Sequence, residues 1–132
     1  VNDGNDEFES LALSYVAVWN ETDSVARRAA VERILAPEIR YTDPIAVAEG
    51  CDAVDAMIGA VQGQFPGLTM TLAGPVDGHH DQARFTWGLG PAGAEPLVVG
   101  FDVIERGADG RITKVLGFLD KVPAGAGAGS GA

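Results

Sequence analysis

The chain has 132 residues, 46% of them hydrophobic, and a formal net charge of -10. That is the length of one domain with enough apolar material for a core. The charge argues against a nucleic-acid backbone or an anionic membrane surface as partner, and no run of Lys or Arg makes a local exception. One cysteine excludes an internal disulfide, and no Cys/His spacing suits zinc. The apolar stretches are too short to span a bilayer and no signal-peptide pattern opens the sequence, so a cytoplasmic location is expected. Residues 1–6 are polar and expected to be disordered. Residues 124–132 read as a flexible Gly/Ala tail, which leaves a single domain over 7–123.

Phe8, Leu11, Ala12, Tyr15 and Trp19 recur at helical spacing and predict an amphipathic first helix. Tyr15 lies on its buried stripe, so its hydroxyl needs an internal partner or a pocket. Asp23 or Ser24 can cap a second helix with Val31, Ile34 and Leu35 inward, and Pro37 limits its extension. Ile39 to Asp43 reads as a short strand ended by Pro44, with Ile39, Tyr41 and Asp43 facing one way. Such a strand aims a carboxylate into a cavity, although Asp-Pro is also an ordinary turn opening. Gly50 precedes a third helix with Val54, Met57, Ile58, Val61 and Phe65 on one stripe, ended by Phe65-Pro66-Gly67. Cys51 sits in its first turn with no evident base beside it.

The rest of the chain predicts strands. Leu68 to Leu72 alternates, Gly74-Pro75 interrupts, and Val76 leads to a turn at Gly78-His79-His80-Asp81. The two histidines diverge on an extended chain and lack a surrounding carboxylate set, so a hairpin tip is the better reading. Ala83, Phe85 and Trp87 form the next inward set, and Gly88 to Pro96 is expected to be a loop. Leu97 to Arg106 and Arg111 to Asp120 form a hairpin around the Gly107 to Gly110 turn. Asp102 shares a strand face with Val98, Gly100 and Ile104. Pointed inward, it is a buried acid with a raised pKa; pointed outward, it is an ordinary solvated residue.

Three helices followed by strands predict an α+β fold: helices packed on a strongly curved, mainly antiparallel sheet that forms a cone with an internal pocket. Met57, Ile58, Met70, Phe85 and Trp87 are expected to line or support that pocket, with Gly100, Val115 and Leu119 from the last two strands.

Thr42-Asp43-Pro44, Leu72-Ala-Gly-Pro-Val76, Phe101-Asp102-Val103 and the Gly110-Arg111-Ile112 return resemble the bacterial Δ5-3-ketosteroid isomerases, within the nuclear-transport-factor-2-like, polyketide-cyclase-like superfamily. The resemblance runs from about Phe8 to Val122. It implies that Asp43 is a general base, and that Asp102, kept protonated, and Tyr15 donate to an oxyanion. It also implies no cofactor, a small apolar ketone or a polyketide- or steroid-like substrate, and a homodimer. The sequence departs from that pattern where further tyrosines often support the oxyanion tyrosine: Leu35 and Ile58 stand there. The expected function is a cofactor-independent isomerase or cyclase that removes a proton next to a carbonyl. The alternatives are a non-catalytic small-ligand-binding protein of the same fold and, less favoured, an epoxide hydrolase. The hydrolase pattern needs Arg-x-Asp, where this chain has Arg84-Phe85-Thr86, and Gly117 replaces its last aspartate. Asp120 ranks below Asp102 as an acid, because alternation sets it apart from Leu119.

Overall fold

The computed structural model describes residues 3–123, so the 124–132 tail lies outside the described residues. Helix α1 spans Asp3–Asn20 and therefore begins inside the segment expected to be disordered. Asn5 anchors that turn: its Nδ2 donates to Val76 O at 3.0 Å and its Oδ1 accepts from Gly78 N at 2.9 Å. Phe8, Ala12, Tyr15 and Val16 are buried along one side, as their spacing requires. Helix α2, Ser24–Ile34, is capped by Asp23, whose carboxylate accepts from Ala26 N at 2.9 Å.

Leu35 does not continue α2. It is already extended and opens strand β1, Leu35–Thr42. Pro37 two residues on forces Ala36 out of the helical region and has no donor for the ladder. The β1 pairing accordingly shifts register between Leu35 and Arg40. A short strand β2, Val47–Glu49, follows the Asp43-Pro44 turn and pairs antiparallel with β1. Helix α3 is Cys51–Gln64, entered through Gly50 at φ 89°.

The remaining strands are β3 (Leu68–Leu72), β4 (Asp77–His79), β5 (Gln82–Pro91), β6 (Val98–Arg106) and β7 (Ile112–Lys121). The seven-stranded sheet runs β2-β1-β7-β6-β5-β3, with β4 on β5, and only β1–β7 is parallel among the described strands. The predicted loop from Gly88 is strand as far as Pro91. Gly88 and Gly90 make this possible, because a Cβ there would lie 2.7 Å from Pro96 Cγ and 3.0 Å from Pro96 Cα. The returning chain crosses directly over them, and Leu97 N donates to Leu89 O at 2.9 Å.

The helices and the inner sheet face share one apolar core that includes Phe8, Tyr15, Ile39, Ile58, Phe85 and Ile104. On the outer face Phe101 and Phe118 stack at 4.9 Å, with Phe118 50% exposed. No described helix is long and apolar enough to cross a membrane.

Candidate active site

Asp43 stands just past the end of β1, where the chain turns at Pro44. Its Oδ1 accepts from Ile45 N at 2.8 Å and Ala46 N at 2.7 Å, and its backbone N–H donates to Ala46 O at 2.9 Å. This is the side-chain-to-backbone turn that aspartate before proline favours. Its Oδ2 accepts from the Tyr41 hydroxyl at 2.5 Å. Three donors thus fix the carboxylate, and roughly one of its four lone-pair directions is left unclaimed by these bonds. Burial raises the pKa of the Tyr41 phenol well above its usual value, and the nearby Tyr15, Asp43 and Asp102 add to the shift, so it stays a donor.

Asp102 faces inward from the middle of β6 and is 3% exposed. Its Oδ1 accepts the indole N–H of Trp87, on neighbouring β5, at 3.1 Å. Burial pushes its carboxyl up to about 6, partly offset by the Trp87 donor and the nearby Tyr15 hydroxyl and reinforced by the negative charge of Asp43. Directly across the β6–β7 ladder is Gly117. A Cβ at Gly117 would meet Asp102 Oδ1 at 3.0 Å and Asp43 Cβ at 3.2 Å, so the two acids flank one notch in the sheet.

Both acids line a cavity of about 290 Å³. Its wall includes Met70, Trp87 and Leu119 from the expected set, together with Trp19, Leu89 and Val98. Ile45 from the turn after β1 and Val61 and Phe65 from the end of α3 also line it. The other expected wall residues lie elsewhere. Ile58, Phe85 and Val115 are sealed in the core, and Met57 packs half-buried against it. Gly100 is covered, because a Cβ there would fall 2.5 Å from the Trp87 ring. The expected residues face inward, but inward positions divide between the packed core and the cavity wall.

Tyr15 sits behind the wall rather than on it. Its ring meets Phe85 edge-on at 6.0 Å and Trp19 at 6.5 Å, and Trp19 meets Tyr41 at 6.2 Å. Burial raises the Tyr15 phenol pKa well above its usual value, with the charge of Asp102 the next cause. Its hydroxyl is fully buried and makes no hydrogen bond of ordinary geometry, and the same is true of Trp19 Nε1. Trp19 was visible in the sequence as the next position of the Tyr15 stripe, four residues on, but nothing there distinguished a cavity residue from a core one.

A larger surface concavity of about 460 Å³ lies around Cys51, Arg28 and Arg111, away from both acids. The Cys51 Sγ points at the carbonyls of Leu35 and Ala36, at 3.8 and 3.6 Å, and burial raises its thiol pKa. That disfavours a thiolate nucleophile. His79 ends β4, paired with Gln82, and His80 at φ 54° opens the turn to β5. Asp120 is exposed. No group of three described His, Cys, Asp or Glu residues is placed to hold a metal ion.

Residues 12–115 match the SnoaL-like domain. The chain belongs to the SnoaL-like family. A member of that family from Agrobacterium tumefaciens, proposed to be an isomerase, is 39% identical with a TM-score of 0.84, over 87% of this chain and 98% of that one. A proposed SnoaL-like polyketide cyclase from a Jannaschia species is 18% identical with a TM-score of 0.64, over 83% and 85% of the two chains. A Catenulispora acidiphila protein with a ketosteroid isomerase-like fold, solved with trimethylamine, is 16% identical with a TM-score of 0.65, over 81% and 82%. The last two establish likeness of fold alone. No curated protein matches the chain.

Proposed function

We propose that this SnoaL-like protein is a cofactor-independent isomerase or cyclase that moves a proton next to the carbonyl of a compact apolar substrate. The observation that carries this reading is the pair of acids at the Gly117 notch, one held by three donors at the end of β1 and one buried with a carboxyl near 6. Opposed environments let one carboxyl act as base while the other serves as acid. Asp43 takes the proton from the carbon next to the carbonyl, and the electron pair moves onto the carbonyl oxygen. Protonated Asp102 donates to that oxygen, with Tyr15 behind it. The proton on Asp43 is then returned to the far carbon of the shifted double bond, so the base is regenerated and nothing is consumed.

The cavity, about 290 Å³, is at the lower end of the ~300–1,000 Å³ typical of ligand sites, which favours one or two rings over a large polycycle. Its walls are aliphatic and aromatic, in keeping with an apolar ketone. The experiment is turnover of a small β,γ-unsaturated ketone, followed by absorbance of the conjugated product, in wild type and Asp43→Asn. Loss of turnover in the variant supports the reading; full turnover in it overturns the assignment of the base.

One observation favours the second reading, a ligand-binding protein without turnover: three of the lone pairs of Asp43 are already engaged, two in holding its own turn and one by the Tyr41 hydroxyl. Binding of an apolar ketone without any isomerisation would establish that alternative. The epoxide hydrolase reading loses further ground, because Arg84 lies on the outer face, its side chain 71% exposed beside Asp77.

A further inference from the structure

The lone pairs of the Asp43 carboxylate are not used evenly. Oδ1 accepts from both Ile45 N and Ala46 N, so its two directions are taken. Oδ2 accepts only from the Tyr41 hydroxyl, at 2.5 Å, a length characteristic of a hydroxyl donating to an ionised carboxylate. The direction left open therefore belongs to Oδ2. Tyr41 lies in β1 and Asp43 just past its end, so their side chains leave the same face of the chain and both line the cavity. The phenol is held in place. Tyr41 is 5% exposed, its ring lies 6.2 Å from that of Trp19, and its backbone position pairs with Ala48 on one side and Val115 on the other. A phenylalanine would supply much of the same wall; the hydroxyl adds one donor, and Asp43 is the acceptor it reaches.

We propose that Tyr41 is a positioning residue for Asp43: its hydroxyl holds the carboxylate ionised and leaves Oδ2 as the atom that receives the substrate proton. The inference rests on the reading of Asp43 as the base. The other titratable groups facing Asp43 are Asp102 on β6 and Tyr15 on α1, and any charge on Asp102 opposes a charge on Asp43. No Lys, Arg or His is among the described residues that line the cavity. With no cation to balance Asp43, that task falls to the Tyr41 hydroxyl and the two turn amides. A hydrogen bond to a charged oxygen is roughly twice as strong as one to a neutral oxygen, so Tyr41 favours the state in which Asp43 carries no proton. When Oδ2 takes the proton from the carbon next to the carbonyl, the electron pair passes to the carbonyl oxygen and the Tyr41 bond weakens. Return of the proton to the far carbon restores it. Tyr41 thus resists the first transfer a little and favours the second.

The test follows the Asp43 carboxyl across pH by NMR of isotope-labelled aspartate side chains, its signal assigned by its loss in Asp43→Asn. An Asp102→Asn background keeps the two acids from titrating together. Tyr41→Phe moves the Asp43 midpoint up by about one to two pH units, the scale of one hydrogen bond to a charged group. Tyr15→Phe, which removes a hydroxyl with no hydrogen bond to Asp43, leaves the midpoint in place. An unmoved midpoint in Tyr41→Phe makes Tyr41 a packing residue and overturns the proposal; so does an equal rise in Tyr15→Phe. With Asp102 intact, the acid limb of kcat/KM for a small β,γ-unsaturated ketone rises with the midpoint in Tyr41→Phe. The two readings fail separately. An unmoved midpoint in a protein that turns the ketone over removes the role of Tyr41 alone. A midpoint that rises in a protein without turnover supports the hold of Tyr41 on Asp43 and removes the isomerase. If Tyr41→Phe does not fold, a ring-fluorinated tyrosine at position 41 keeps the ring and strengthens the donor. The midpoint then falls, and its failure to fall overturns the proposal.

Discussion

Gly117 stands directly opposite Asp102 in the β6–β7 ladder, and any side chain there would touch the Asp102 carboxyl at 3.0 Å and Asp43 at 3.2 Å. A glycine in the middle of a strand weakens it, so its place between two acids is explained by the space it leaves.

Gly117→Ala should therefore act on chemistry more than on folding. The added methyl displaces water or substrate from the notch and desolvates Asp102 further, raising its apparent pKa. Turnover should fall on the order of 10²-fold, the scale of a roughly 1 Å misplacement. Steady-state kinetics across pH 5–9, with circular dichroism as the folding control, reads both effects; unchanged kcat and pH profile would contradict the assignment.

Asp43→Asn should lower turnover by about 10²–10⁴-fold, the usual contribution of a general base. The turn should survive, because the amide oxygen still accepts from Ile45 and Ala46 N–H and the amide nitrogen can donate to Tyr41 Oη. Ligand affinity should be largely retained. Asp102→Ala should cost on the order of 2.7–4 kcal/mol of transition-state stabilisation. It should cost more than Tyr15→Phe, whose hydroxyl lies behind the cavity wall. The kcat/KM values of the three variants settle the order.

The Asp102 carboxyl near 6 predicts two pH effects. As donor it must be protonated, so kcat/KM should fall as pH rises through about 6, and Asp102→Asn, which donates without titrating, should abolish that limb. Stability follows the same sign. The folded pKa lies above the unfolded value, so the neutral acid is tolerated below about 4. Stability is lost as pH rises from there through about 6, amounting to about 3 kcal/mol. Asp102→Asn should then raise the urea midpoint at pH 8 and change it little at pH 4.

Asn20→Ala should strip two hydrogen bonds from the Met70 backbone and cost about 1–3 kcal/mol. Urea unfolding measures it, and a loss below about 0.5 kcal/mol would mean the α1–β3 clamp is dispensable.

Helix and strand identities were legible in the sequence because periodicity reports which side of an element meets the core. The 3.6-residue stripe of α1 and the strict alternation of β3 are of this kind. The failures have separate causes. Leu35 fitted the α2 stripe, but a proline two positions later outweighed the pattern. Gly88 and Gly90 read as loop because composition cannot show that another segment crosses over them. In the site, Asp43 and Asp102 each carried a local signal, an Asp-Pro turn and a lone acid on an apolar strand face. Trp19 and the cavity rim at Ile45 and Phe65 did not, because whether an apolar residue faces a void or a neighbour depends on elements far away in the chain.

The helix carrying Tyr15 and Trp19 is stitched to the sheet near both ends, by Asn5 to the Val76–Gly78 backbone and by Asn20 to Met70. A helix fastened at two points cannot swing aside as a gate without releasing four hydrogen bonds together. Its amides should therefore exchange with solvent deuterium only through openings close to global unfolding. Traffic into the cavity is left to the opposite rim, where Ile45, 73% exposed, stands on the turn organised by Asp43. The residue proposed as the base thus also organises the turn that carries Ile45 to the cavity edge.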